Sequence, residues 1–197
     1  VQIDLNHNKK SAARVREELR ELTKGTKVGI TASSFDLFHP GHMLMLKEST
    51  EHLQSLCGPK ERPFLVVLLQ SDPTLDRHDK NKPVQSLEER YIQIAGNRYV
   101  DYVALYDTEA DLLELLTALQ GIVHVRFIGT DWKDKEYTGK GLAFDIFWNN
   151  RSHGYSTTAL RERVWKAEMQ KRGLVMFGEG KRQYETKYFP GEIKKAA

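Results

Sequence analysis

Two histidines, His39 and His42, flank a Pro-Gly pair in the stretch ITASSFDLFHPGHMLML, where an apolar run gives way to a helix-like pattern. Imidazoles three residues apart at such a junction can both donate to phosphate oxygens. The first N–H groups of a helix lack intrahelical partners and carry partial positive charge, so the junction favours an anion. Gly41 leaves room for a phosphate to approach the backbone, and Pro40 fixes φ and removes one donor. From this string alone, polyphosphate binding, structural coincidence and a metal site all stay open. HPGH has no nearby cysteine and lacks the HExxH spacing of zinc sites.

The elements that would position this pair read as alternating strands and helices. Strands are expected over 27–33, 64–71, 100–106, 123–129 and 144–148. Helices are expected over 42–53, from SLEE onward with Ser86 and Glu89 as a capping box, over 108–120 behind Thr108, and over 156–170. Strands joined by crossover helices imply an α/β fold with a doubly wound parallel sheet. Ligands bind such sheets at the carboxyl ends of the strands, which is where the histidines lie. A further helix over 11–24 precedes the first strand, capped by Ser11 and ended by Gly25, with Ala12, Val15, Leu19 and Leu22 on one face. That seam must pack on the domain's own helices or across a subunit interface. The organisation expected is an N-terminal helical extension over 1–25, a domain over 26–170 and a basic extension over 171–197.

Composition narrows the function classes. An apolar share of 40% with 10% aromatics supports a core, and mean hydropathy is −0.56. No apolar run reaches the roughly 18–20 residues of a membrane span, and the first residues show neither a secretory nor a transit pattern. Cys57 is the single cysteine, which excludes an internal disulfide and fits a reducing, cytoplasmic compartment. Residues 1–25 hold six Lys/Arg against four Asp/Glu, and residues 171–197 seven against three. Two mildly basic ends are not the basic stripe of a nucleic-acid groove, so neither nucleic acid nor membrane is an expected partner.

FDLFHPGH resembles the HxGH signature of the nucleotidyltransferase superfamily. The second signature of that superfamily, a Ser/Thr-rich helix start, is similar to YSTTALR, which carries Ser156, Thr157, Thr158 and Arg161. Within the superfamily the chain resembles the cytidylyltransferases, particularly glycerol-3-phosphate cytidylyltransferase, over about residues 27–170. NRYVDYV carries Arg98, FIGTDW carries Gly129 and Asp131, and RSHGYSTT carries Arg151; SLEER sets Lys82 where a phosphate-binding lysine is expected.

The resemblance implies a Rossmann-like fold and transfer of CMP from CTP to a phosphorylated alcohol such as glycerol 3-phosphate, with release of pyrophosphate. The alternative is an adenylyltransferase using ATP. It implies His39 and His42 as catalytic groups, with Asp36 orienting the loop or the acceptor side, unless that carboxylate only caps a turn. Ser34, Phe35, Gly41, Gly129, Asp131, Arg151 and the second signature would contact the nucleotide, and Lys82 and Arg98 the acceptor phosphate or the nucleotide. Mg²⁺ would arrive with the nucleotide, and the assembly would be a homodimer. Three departures fall near the nucleotide or acceptor: Leu44 stands where Lys or Arg is common, Ser33-Ser34 where Gly-Thr is usual, and His153 where Glu is usual.

Overall fold

The computed structural model describes residues 9–173, 175–176 and 184–185. Helix α1 (Ala12–Leu22) is capped by Ser11, whose hydroxyl accepts the N–H of Arg14, and Gly25 turns the chain at φ +78. Strand β1 (Val28–Ser33), helix α2 (Pro40–Ser55) and strand β2 (Phe64–Gln70) follow. Next come α3 (Leu87–Ala95), β3 (Tyr102–Tyr106), α4 (Glu109–Ala118), β4 (Val125–Gly129) and β5 (Asp145–Asn149). The α2 helix starts two residues ahead of the sequence expectation. His39 takes the capping position, and proline suits the first helical turn because its missing donor is not needed there.

The five strands form one parallel sheet in the order β3-β2-β1-β4-β5. The chain leaves β1 towards β2 and β3, then returns to its other side for β4 and β5. The order therefore reverses beside β1, and its carboxyl end faces the resulting crevice. One face of the sheet buries Val28, Ile30, Val66 and Leu68 against α1 and α4. The other buries Leu65, Val67, Leu69 and Phe127 against Leu46 and Leu53 of α2 and Ile94 of α3. Near-continuous apolar strands such as FLVVLLQ are what burial on both faces requires.

The α1 seam is consumed within the chain. Ala12, Val15 and Leu19 join Leu112, Leu115, Leu116 and Leu119 in one core cluster, while Leu22 is 59% exposed. Polar contacts fasten the helix further: the Glu18 carboxylate receives Tyr102 at 2.7 Å and Lys10 at 2.6 Å. Hydrogen bonds from Lys10 and Tyr102 lower its pKa to about 2, against a burial cost. Leu19→Ala should cost about 2–3 kcal/mol by urea unfolding, and Leu22→Ala under about 0.5 kcal/mol. Equal effects would remove α1 from the core.

The chain divides into two compact units, Val1–Tyr155 and Ser156–Ala197. The second carries helix α5 (Thr157–Lys171), whose described residues include none fully buried, and a short antiparallel pair, β6 (Val175–Met176) with β7 (Tyr184–Glu185). Most of the expected 171–197 extension lies outside the described residues, as do residues 1–8. Among the described residues no helix is long and apolar enough to cross a membrane.

Candidate active site

The two histidines cap α2 reciprocally. His39 Nδ1 accepts the N–H of Gly41 at 3.1 Å, and His42 Nδ1 accepts the N–H of His39 at 3.4 Å. A ring nitrogen that accepts cannot carry the proton, so each imidazole bears its hydrogen on Nε2. The rings stack with centroids 3.9 Å apart and are only 6% and 8% exposed. Burial above all, then the charges of His39 and Arg151, lower the His42 pKa to about 3, against the opposing pull of Asp36. At neutral pH His42 is an uncharged donor in a fixed orientation.

That shift has a consequence for stability. Between pH 6.5 and 4.5 the unfolded chain protonates His42 while the folded chain does not, so stability falls as pH drops, by about 2–3 kcal/mol across this window. His124, lowered chiefly by burial, acts in the same direction. The measurement is therefore the difference between wild-type and His42→Asn unfolding curves across this window. Parallel curves would contradict a neutral, buried His42.

The loop before the pair is held under strain. Phe35 and Leu37 adopt φ +49 and +47, left-handed conformations that cost non-glycine residues roughly 1–2 kcal/mol each. Asp36 between them is 4% exposed, and its Oδ1 accepts the N–H groups of Val84 and Gln85 at 2.9 and 3.0 Å. The carboxylate thus ties the first loop to the one preceding α3, which makes it a positioning group. The ring of Phe35, expected at the nucleotide, is 1% exposed and lies 5.1 Å from the His42 ring, so it packs beneath the imidazole instead.

Arg90 completes this frame and was not singled out in the sequence. Its guanidinium is buried and donates to the carbonyls of Ser34 (2.8 Å), Gln70 (2.6 Å), Ser71 and Gln85 (3.2 Å). It joins the carboxyl ends of β1 and β2 to the α3 entry. The available signal was a basic residue on the inward stripe between Leu87 and Ile94. On the other side of β1, Asn149 at the end of β5 donates to Glu48 Oε2 at 2.9 Å, and the N–H of Asn150 reaches the same oxygen at 3.0 Å. These contacts lock α2 to the segment that carries Arg151 and His153.

Arg151 pairs with Asp131 at 3.1 Å. A Cβ on Gly129 would stand 2.3 Å from Asp131 Oδ1, so this exposed carboxylate folds back over the bare backbone of the glycine. Gly129, Asp131 and Arg151 thus meet at the carboxyl ends of β4 and β5, with the Arg151 charge felt at His42. Ser34 contributes its carbonyl to Arg90. Lys82 is 81% exposed on its side chain and lies 3.9 Å from Asp72. Arg98 lies over the Tyr99 ring at 5.3 Å and has no described contact with the histidines. Trp132 is half-buried on a single turn, Thr130–Trp132, rather than in the core. In the second unit the Ser156 hydroxyl caps α5 by accepting the N–H of Ala159 at 3.1 Å, with Thr158 exposed and Thr157 and Arg161 half-buried. A cavity of about 460 Å³ lined by Arg20, Lys27 and His124 opens at the amino ends of β1 and β4, the opposite edge from the histidines.

A model of the cytidylyltransferase-like family matches residues 30–163, from within β1 into α5. The chain belongs to the cytidylyltransferase-like family. The matched residues are a nucleotidyltransferase domain, and the HPGH turn, Gly129, Asp131 and Arg151 all lie within them. Among relatives, the bifunctional protein HldE of Campylobacter concisus is 31% identical over 166 residues, 84% of this chain and 32% of that protein. HldE of Wolinella succinogenes is 29% identical over 167 residues, 81% of this chain and 33% of that protein. HldE of Helicobacter pylori strain HPAG1 is 32% identical over 139 residues, 70% and 27%. The chain therefore spans about a third of the length of these relatives. A solved structure, the lipopolysaccharide core biosynthesis protein from Thermoplasma volcanium GSS1, matches with a TM-score of 0.40 and 19% identity over 73% of this chain and 90% of that one.

Proposed function

We propose that this cytidylyltransferase-like domain transfers a nucleotidyl group, CMP from CTP, to the phosphate of a small phosphorylated alcohol such as glycerol 3-phosphate. The observation that carries the transfer reading is the reciprocally capped histidine pair at a helix N-terminus beside the topological switch point. An acceptor phosphate oxygen forms a bond to the α-phosphorus while the bond to the bridging oxygen breaks, and pyrophosphate leaves with the electron pair. Such a step needs positioning and charge stabilisation more than proton transfer. His39 and His42 supply Nε2–H donors held in place before substrate arrives, and the positive end of the α2 dipole adds to them. Asp36 and Arg90 keep the two flanking loops in register. Arg151, Lys82 and Arg98 are the cations available to the nucleotide or acceptor. Ser156, Thr157, Thr158 and Arg161 keep the role the resemblance implies, contacts to nucleotide phosphates.

Mg²⁺ would enter with the nucleotide, carried mainly by phosphate oxygens and water, the mode usual for this ion. The imidazoles are poor ligands for so hard a cation, and the Asp131 carboxylate is engaged by Arg151. Among the described residues no group of three or more His, Cys, Asp or Glu is placed to hold a metal. A homodimer in the cytoplasm is the assembly and location proposed. Its contact would not use Ala12, Val15 or Leu19, which are buried within the chain.

The second reading, ATP as donor, draws on the adenylyltransferases of the same superfamily, which share the HxGH turn and a Ser/Thr-rich helix start in which Arg161 is at home. Incubating the protein with each nucleoside triphosphate, Mg²⁺ and a panel of phosphorylated alcohols, then measuring pyrophosphate, separates the two. CTP should give release and should raise the melting temperature more than ATP at equal concentration. Release with ATP alone establishes the second reading, and no release with any pair overturns both.

A further inference from the structure

The connection after β5 brings a third imidazole to the HPGH turn. A Cβ built on Gly41 would stand 2.8 Å from His153 Cε1 and 2.9 Å from His39 Cε1, so these two rings meet over the first turn of α2. His153 Nδ1 accepts the N–H of Tyr155 at 3.1 Å, and the two rings stack with centroids 5.6 Å apart. With Nδ1 accepting, the ring proton lies on Nε2. That Nε2 is buried and has no hydrogen-bond partner among the described residues. A buried donor without an acceptor is costly, and folded proteins keep few of them. The donor lies at the amino end of α2, whose dipole favours an anion.

We propose that His153 is a third phosphate-binding imidazole, donating its Nε2–H to a phosphate oxygen of the nucleotide seated over Gly41. The ligand oxygen supplies the acceptor that the described residues do not. Seating it shifts the ring aside from Gly41, and the adjoining Gly154, at φ +72, is the residue type suited to a sharp turn there. This proposal deepens the nucleotidyl-transfer reading and rests on it.

Two readouts test it: KM and kcat for the nucleoside triphosphate by pyrophosphate release, and calorimetric affinity for inorganic pyrophosphate. His153→Ala should raise KM and weaken pyrophosphate binding about tenfold, with kcat changed less than about threefold. His153→Gln keeps a donor and should stay within about threefold of wild type. His153→Phe keeps the packing but not the donor and should behave as the alanine variant. Wild-type affinity in His153→Phe would reduce the residue to a packing role and overturn the proposal, as would wild-type affinity in His153→Ala. A wild-type chain that binds pyrophosphate, loses affinity in His153→Ala and His153→Phe, and turns over no nucleotide would uphold the phosphate site and overturn the transfer reading. A wild-type chain that binds neither would overturn both.

Discussion

His42→Ala is expected to lower nucleotidyl transfer by about 10²–10³ in kcat while the chain stays folded. The lost group is a preorganised donor, and removing one such donor typically has this effect. Preorganisation is visible in three constraints on the ring: the hydrogen bond at Nδ1, the stack on His39, and the packing of Phe35 and Phe38 at 5.1 and 5.5 Å. Because burial holds the pKa at about 3, the ring donates as a neutral group, and activity should not titrate with this residue between pH 6 and 8. The structural loss is one side-chain cap, about 1 kcal/mol. A circular dichroism melt close to wild type together with lost pyrophosphate release is the expected pair of results. Full turnover in His42→Ala would end the mechanism proposed above.

Arg90→Leu should destabilise the fold by about 3–5 kcal/mol, an effect larger than any single apolar truncation proposed here. The guanidinium is buried without a direct ion pair among the described residues, and its charge is satisfied by four backbone carbonyls. Burial pushes its pKa down, with Asp36 and Asp72 opposing. Leucine fills similar space but leaves those carbonyls, at the carboxyl ends of β1 and β2, without donors. Arg90→Lys retains the charge with fewer, differently directed donors and should fall between the two. Urea unfolding midpoints at constant slope report the change. An Arg90→Leu variant within 1 kcal/mol of wild type would show that water replaces the guanidinium and that the strand ends do not depend on it.

How far the sequence could be read follows from the range of the forces involved. Helices α3 and α4 were legible because capping is local: Ser86 with Glu89 and Thr108 with Asp111 meet within one turn. The parallel sheet was legible because β2 is apolar on both faces and a parallel return requires a crossover. The histidine pair was legible for the same reason, since both imidazoles belong to one helix end. The partner of the α1 seam was not, because four apolar residues at helical spacing fit a neighbouring helix or a second subunit equally well. Only the fold sets Ala12, Val15 and Leu19 in one cluster with Leu112, Leu115 and Leu116 of α4 and with Leu119 just after it.

The sequence by itself determined the order of elements and the HPGH turn, because each depends on residues within about a helical turn of one another, while the class of chemistry followed from the resemblance carried jointly by HPGH and YSTTALR. Tertiary structure alone decided which of those residues meet one another and which hold others in place. Asp36 reaches Val84 and Gln85, Arg90 reaches Ser34, and His153 comes to lie over Gly41. These partners are separated by 48, 49 and 56 positions for the first three contacts. Spacing along the chain cannot encode such meetings. They follow from the strand order β3-β2-β1-β4-β5, which gathers the carboxyl ends of β1, β2, β4 and β5 around one crevice.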